Sequence, residues 1–393
     1  MLPLEGIRVI DFGRFIAGPY CAMLLADMGA DVIRVDRRKG SEDRYTGPVT
    51  KGGEGGAFLS LNRNKRSITL NPSKPQGKEV IRRLVKTADV VVANLPVGVM
   101  KKMGIDYESL KEIKPDIILG RISAFGPDGP YANRVGFDTI AQGMSGAMSV
   151  TGFEGAPVRA VVPFCDYGTA LHTAFGIAMA LMHRAKTGEG QIVDGALLAT
   201  GVTFLQALLA ELNVKGIKRE QQGNAAFYSA PADTYRTKDG WVVVQTIGGD
   251  MFERWAKMVG REELVADPRF RDDLSRADHR ETITQTMSAW TGARTTAEAM
   301  AEMEKARVPA GPVYGLDQVL DDPQVKAREM FQYVEYPDAE KPVPLADTPV
   351  RLSATPGGIR QRAPMLGEHT DEVLRELGYV AAEIAALRVA EAV

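Results

Sequence analysis

Within the first 36 residues, the chain spells out a strand, a loop, a helix and a second strand. Residues 7–12 (Ile-Arg-Val-Ile-Asp-Phe) read as a strand, 13–19 as a loop, 20–28 as a helix stopped by Gly29, and 31–36 (Asp-Val-Ile-Arg-Val-Asp) as the second strand. Two strands joined through a helix run parallel, and such crossovers are right-handed. Strand and helix patterns recur up to about residue 123. A strand begins near Ser67, a helix covers about 75–87, a buried strand covers 89–94, and another strand covers 116–123. That alternation predicts an α/β fold on a mostly parallel sheet.

In open sheets of this kind, ligands collect at the carboxyl ends of the strands. Asn94 falls at such an end, with a turn-forming role as its plain alternative. Asp36 ends the second strand and is placed to hold a ribose; Arg37 and Arg38 follow at once and suit a phosphate. Residues 13–19 match neither a dinucleotide fingerprint nor a P-loop, since Pro19-Tyr20 stands where Lys-Ser/Thr would be. Residues 41–56 are polar and glycine-rich and read as a mobile surface loop.

The stretch 161–184 is the one around which the rest of the chain is organised. Asp166 sits where an irregular apolar segment becomes a helix whose later residues, from Ala170 to Met182, are apolar on nearly every face. Such a helix is expected in a core. Aspartate there describes an N-cap. The same place suits a carboxylate nucleophile, and a helix terminus would favour its ionised form. Neighbouring Cys165 reads as a buried small residue, with a reactive thiol as the alternative.

The 393 residues allow two domains. A net charge of −2 argues against nucleic-acid binding through bulk basic charge. No apolar run reaches membrane-spanning length, and the N-terminus lacks a signal-peptide pattern, so a cytoplasmic protein is expected. Two cysteines and four histidines show no metal-ligand or disulfide spacing, so no metal is expected. Composition turns polar after Val214. The expected division is 1–214 as the first part of a large domain, 215–224 as a linker, 225–318 as a small α/β domain, 319–345 as a linker, and 346–393 as a C-terminal return to the large domain.

Several short pieces, in order along the whole chain, resemble the family III coenzyme A transferases, which include formyl-CoA transferase and carnitine-CoA transferase. They are Leu4-Glu5-Gly6-Ile7-Arg8-Val9-Ile10-Asp11-Phe12 with Ala17-Gly18-Pro19; Gly29 to Asp36; Asn64-Lys65-Arg66-Ser67-Ile68; Cys165-Asp166-Tyr167-Gly168; Thr187-Gly188-Glu189-Gly190-Gln191; and Pro364-Met365-Leu366-Gly367-Glu368-His369-Thr370. The resemblance implies a Rossmann-like parallel-sheet large domain built from both chain ends, a smaller α/β domain, and an interlocked homodimer. It implies transfer of coenzyme A from an acyl-CoA donor to a carboxylate acceptor, with Asp166 as the nucleophile that passes through an anhydride and an aspartyl-CoA thioester.

By the same resemblance, Phe15, Ile16, Ala17, Arg37, Leu70, Asn94, Lys102 and Arg134 contact coenzyme A. Asp138 lies close to the nucleophile, and Gly248 and Gly249 supply amides for an oxyanion. Two departures matter. Ile16 stands where formyl-transferring members have Gln, and Phe137 stands where racemases of the same fold have a His base. His172 and His369 read as structural, His172 within the buried helix. The alternatives are an acyl-CoA racemase or isomerase, an NADP-dependent dehydrogenase resting on Asp36-Arg37, and a non-catalytic CoA-binding protein.

Overall fold

The computed structural model describes residues Met1 to Val393. The chain forms two units, one made of Met1–Ser145, Ala160–Leu205 and Gln324–Val393, the other of Gly146–Arg159 and Gln206–Pro323. The larger unit holds six parallel strands, β1 (Arg8–Asp11), β2 (Asp31–Arg37), β3 (Lys65–Leu70), β4 (Val90–Ala93), β5 (Ile118–Ser123) and β6 (Ile192–Ala196). Their order across the sheet is 3-2-1-4-5-6, so the order of succession reverses between β1 and β4 while all strands stay parallel. Buried Val90, Val91, Val92 and Ala93 show why β4 reads as a continuous apolar run: both its faces are covered.

One face packs on helix Pro75–Thr87 and on the C-terminal helices Thr370–Glu376 and Ala381–Val389. The other packs on helices Ala17–Asp27 and Phe164–Thr187. The C-terminal return is tied in by ion pairs from Arg66 to Glu372 and Glu376. In the smaller unit, an antiparallel sheet of β7 (Ala232–Arg236), β8 (Trp241–Gln245) and β9 (Ala310–Pro312) packs on helices around buried Trp255, Phe252 and Phe270. No single helix is long and apolar enough to cross a membrane.

Several expectations change. The units divide at Leu205/Gln206 rather than near residue 214, and residues 146–159 leave the larger unit altogether. After β6 the chain forms two helices, Leu197–Phe204 and Gln206–Lys215, broken at Leu205. Residues 319–345 are not a plain linker. They contain β10 (Phe331–Val334), paired antiparallel with β11 (Val343–Ala346), whose Leu345 is buried against Phe58 and Leu59. Residues 347–364 are irregular but pinned: Asn64 Oδ1 accepts the amides of Arg360 at 2.7 Å and Gln361 at 2.9 Å.

The glycine-rich segment 41–56 is also fixed in place. Buried Arg44 stacks on Phe58 at 3.9 Å and donates to Asp36 Oδ2 at 2.9 Å, while Pro48 and Gly55 form a bridge. Asp36 takes Arg34 Nε on Oδ1 at 3.0 Å, and Ser67 Oγ joins Arg44 on Oδ2 at 2.8 Å. Burial opposes its ionisation, yet Arg34 and Arg44 hold its carboxyl down to about 2. Asp36 therefore has no free oxygen for a ribose, and the dehydrogenase reading loses its acidic residue.

Removing one partner from a buried ion network leaves charges uncompensated, at a cost of about 3–5 kcal/mol. Asp36→Ala is expected to lower the unfolding free energy of the larger unit by an amount in that range, read from urea denaturation followed by near-UV circular dichroism.

Candidate functional site

Pro163 precedes helix Phe164–Thr187 and offers no side chain to its free amides. Asp166 is the third helical residue, not the cap. The cap comes from another helix, Asp138–Met144. Asp138 Oδ1 accepts the amides of Cys165 at 2.8 Å and Asp166 at 3.1 Å, and Oδ2 accepts Gln142 Nε2 at 2.5 Å. Gln142 Oε1 in turn accepts the Ala160 amide at 2.9 Å. Asp138 and Gln142 are both buried.

Asp166 itself is half-buried. Burial, then the Asp138 charge, pushes its carboxyl up to about 7. The helix terminus thus does not keep Asp166 strongly ionised, because the amides that would do so are bound to Asp138 instead. Cys165 is buried and its thiol is pushed up to about 12 by burial and then by Asp138 and Asp166, which removes it as a nucleophile. The helix is only partly buried. Leu171, Phe175, Met179 and Met182 are exposed along one stripe. His172 is exposed too, its Nδ1 3.2 Å from Thr200 Oγ1. His369 serves the sheet, its Nδ1 accepting the Ser67 amide at 3.2 Å.

At the carboxyl ends of β1 to β4 lies a cleft of about 800 Å³. Its apolar walls include Phe12, Val35, Leu70, Leu95, Val99 and Met103. Arg14, Arg37, Arg38, Lys39, Lys78 and Lys102 bring six cationic side chains to it, against Asp36, whose charge is already paired. Apolar walls for a flat ring and clustered cations for phosphates describe a nucleotide groove.

Of the residues expected to bind it, Arg37, Leu70 and Lys102 line the cleft. Asn94 acts one step back, gripping the Arg14 backbone: Oδ1 accepts the amide at 2.7 Å and Nδ2 donates to the carbonyl at 2.8 Å. Phe15, Ile16 and Ala17 are not in the lining. Ala17 is buried, whereas Phe15 is exposed at φ 58°, a left-handed conformation rare for a bulky residue. Its ring meets Phe137 edge-on at 5.6 Å, which links the groove's first loop to the residue before Asp138. Arg134 stacks on Tyr131 at 4.1 Å, outside the cleft.

Gly248 and Gly249 begin helix Gly249–Met258 in the smaller unit. The Gly248 amide is already bound to both Asp273 oxygens at 3.0 Å, so of the two candidate oxyanion donors it is the one with a partner. Arg14, Lys39, Lys78 and Gln142 were not anticipated. Lys39 extends the Arg37-Arg38 run, and Gln142 stands four residues after Asp138, the spacing that brings two side chains together on a helix.

CoA-transferase family III matches residues 4–370 of the chain. Succinyl-CoA:mesaconate CoA-transferase of Haloarcula hispanica is 38% identical over 387 residues, covering 95% of this chain and 96% of its own. Succinyl-CoA--D-citramalate CoA-transferase of Chloroflexus aurantiacus is 35% identical, covering 95% and 94%. Succinate--glutarate CoA-transferase of Agrobacterium fabrum is 37% identical, covering 95% and 96%. Among solved structures, a CAIB/BAIF family protein from Brucella suis superposes with TM-score 0.86 at 36% identity, covering 96% of this chain and 99% of that one.

The raised Asp166 carboxyl carries a stability consequence. The unfolded chain ionises Asp166 near the ordinary 3.8, whereas the folded chain holds its proton to about 7. Wild type therefore loses stability as pH rises between those values, by at most about 4 kcal/mol and less because solvent reaches the group. Asp166→Asn is expected to be more stable than wild type at pH 8, with the gain fading as pH falls towards 4, measured by urea denaturation across that range.

Proposed function

Since the chain belongs to CoA-transferase family III, we propose that it moves coenzyme A from an acyl-CoA thioester to a carboxylic acid through covalent intermediates on Asp166. The observation that carries this reading is the Asp138 carboxylate bound to the Asp166 amide beside a half-buried Asp166. A carboxylate oxygen of Asp166 attacks the thioester carbonyl, the C–S bond breaks, and an anhydride and a coenzyme A thiolate result. The thiolate attacks the Asp166 carbonyl, breaks its anhydride C–O bond and frees the donor acid as its carboxylate. An acceptor carboxylate then attacks the aspartyl-CoA thioester, releasing the thiolate again. The thiolate attacks the acceptor's carbonyl and restores the Asp166 carboxylate.

No proton is consumed in this cycle, so only ionised Asp166 enters it. Acylation converts that anion into a neutral group. The negative charge of Asp138 raises the energy of the free carboxylate but not of its acylated form, which favours attack. The six cations of the groove suit the phosphates of coenzyme A, and its apolar walls suit the adenine.

The names of the relatives point to succinyl-CoA as donor and a small dicarboxylic acid as acceptor. Phe137 has no proton to move, which weighs against a racemase. The exposed stripe Leu171, Phe175, Met179 and Met182 supports a homodimer in which a second copy covers it.

Succinyl-CoA assayed against mesaconate, citramalate, glutarate and malate, with mass spectrometry of the quenched protein, tests the reading. A coenzyme A adduct on Asp166 is expected; transfer by Asp166→Ala at near wild-type rate would sink it. In wild type, kcat/KM is expected to rise with pH through about 7, because the ionised form of Asp166 is the reactive one. Lys102→Glu is expected to raise the thioester KM roughly tenfold or more with kcat little changed, since a groove charge far from the carbonyl adds uniform binding.

A further inference from the structure

Gln142 is fully buried, and its amide has one workable orientation: Nε2 faces the Asp138 carboxylate at 2.5 Å, and Oε1 faces the Ala160 amide at 2.9 Å. Turned over, it would set oxygen against carboxylate and NH₂ against N–H. Asp138 thereby receives three donors, from Gln142, Cys165 and Asp166. Ala160 is where the chain re-enters the larger unit, four residues ahead of helix Phe164–Thr187. Gln142 thus ties together the helix bearing Asp138, the segment leading to the nucleophile and, through Asp138, the first turn that holds Asp166.

We propose that Gln142 is a positioning residue for the transfer reaction, clamping Asp138 so that its charge and both of its backbone bonds stay fixed beside Asp166. The inference rests on Asp166 being the nucleophile. Gln142 touches no reacting atom and acts only through Asp138. The ionisable groups around Asp166 are few. Asp138 is the charge that acts on it from the neighbouring helix, Cys165 and Tyr167 flank it on its own helix, and Tyr20 packs on Tyr167 at 4.8 Å from helix Ala17–Asp27. His172, further along, is turned to Thr200. Nothing in this set replaces the Gln142 clamp.

Two variants test it. Gln142→Leu removes the donor and leaves one Asp138 oxygen unpaired. Its kcat is expected to fall about tenfold to a hundredfold, by displacement of the nucleophile, with the thioester KM within about twofold of wild type because the groove is untouched. Gln142→Glu keeps the shape. Its protonated form can donate to Asp138 and accept from Ala160 as the amide does; its ionised form repels Asp138. The ratio of wild-type to Gln142→Glu activity is therefore expected to grow about tenfold or more from pH 5.5 to pH 8, whereas the Gln142→Leu ratio stays level. Amide hydrogen exchange at Cys165 and Asp166, faster in Gln142→Glu at pH 8 than at pH 5.5 after correction for intrinsic rates, reads the same clamp without turnover. Wild-type kcat in Gln142→Leu, or a pH-independent ratio and unchanged exchange in Gln142→Glu, overturns the assignment. Asp166→Ala in the same assay separates the two ideas: if it is inactive while the Gln142 variants behave as wild type, only the role of Gln142 falls.

Discussion

A carboxylate of one helix caps another, and the candidate site is built on that contact. Pro163 leaves the first turn of helix Phe164–Thr187 without a local acceptor, and Asp138 supplies one. Free helix amides need partners, so the bond fixes where the turn begins and, with it, where Asp166 points. The same carboxylate sets a like charge next to Asp166 and, together with burial, raises the energy of its ionised form. At this point burial and the Asp138 charge both bear on the ionised form of Asp166, so the contact that orders the turn also costs stability when Asp166 is charged.

The sheet delivers a second feature, a groove at the carboxyl ends of β1 to β4. Its strand order reverses between β1 and β4, and such reversals open a crevice at the carboxyl ends. The loop after β1 enters the crevice through Arg14, held there by Asn94, and Phe15 reaches Phe137 beside Asp138. The loop after β1 and the segment bearing Asp138 are thus joined through the Phe15–Phe137 ring contact. Beneath the groove, Arg34, Arg44 and Asp36 form a closed ionic floor. The cations that remain for a ligand are the outer ones, such as Lys102 and Arg37, which is 65% exposed and faces only the similarly exposed Glu42 at 3.7 Å.

Much of this was legible in the residues. Alternating strand and helix patterns gave the parallel sheet, because apolar periodicity reports which faces a segment buries. The edge strand β6 escaped notice because Asp194 and Gly195 interrupt its apolar run; its partner Arg121, pairing with Asp194 at 2.6 Å, lies 73 residues away. Asp36 shows the same limit. Its position at a strand end suits a ribose, yet Arg34, Arg44 and Ser67 close around it.

By itself, then, the sequence determined the βαβ opening, the cations after the second strand, and an aspartate at the start of a largely apolar helix. These follow from local periodicity and from residue chemistry, which act over a few positions. Tertiary structure decided which carboxylate is the cap, how far the carboxyl of Asp166 is raised, which cations stay free for a ligand, and which face of the long helix is left bare. Each of those depends on groups brought together from distant parts of the chain, and burial among such groups sets the charge state of a side chain in a way that no local pattern encodes.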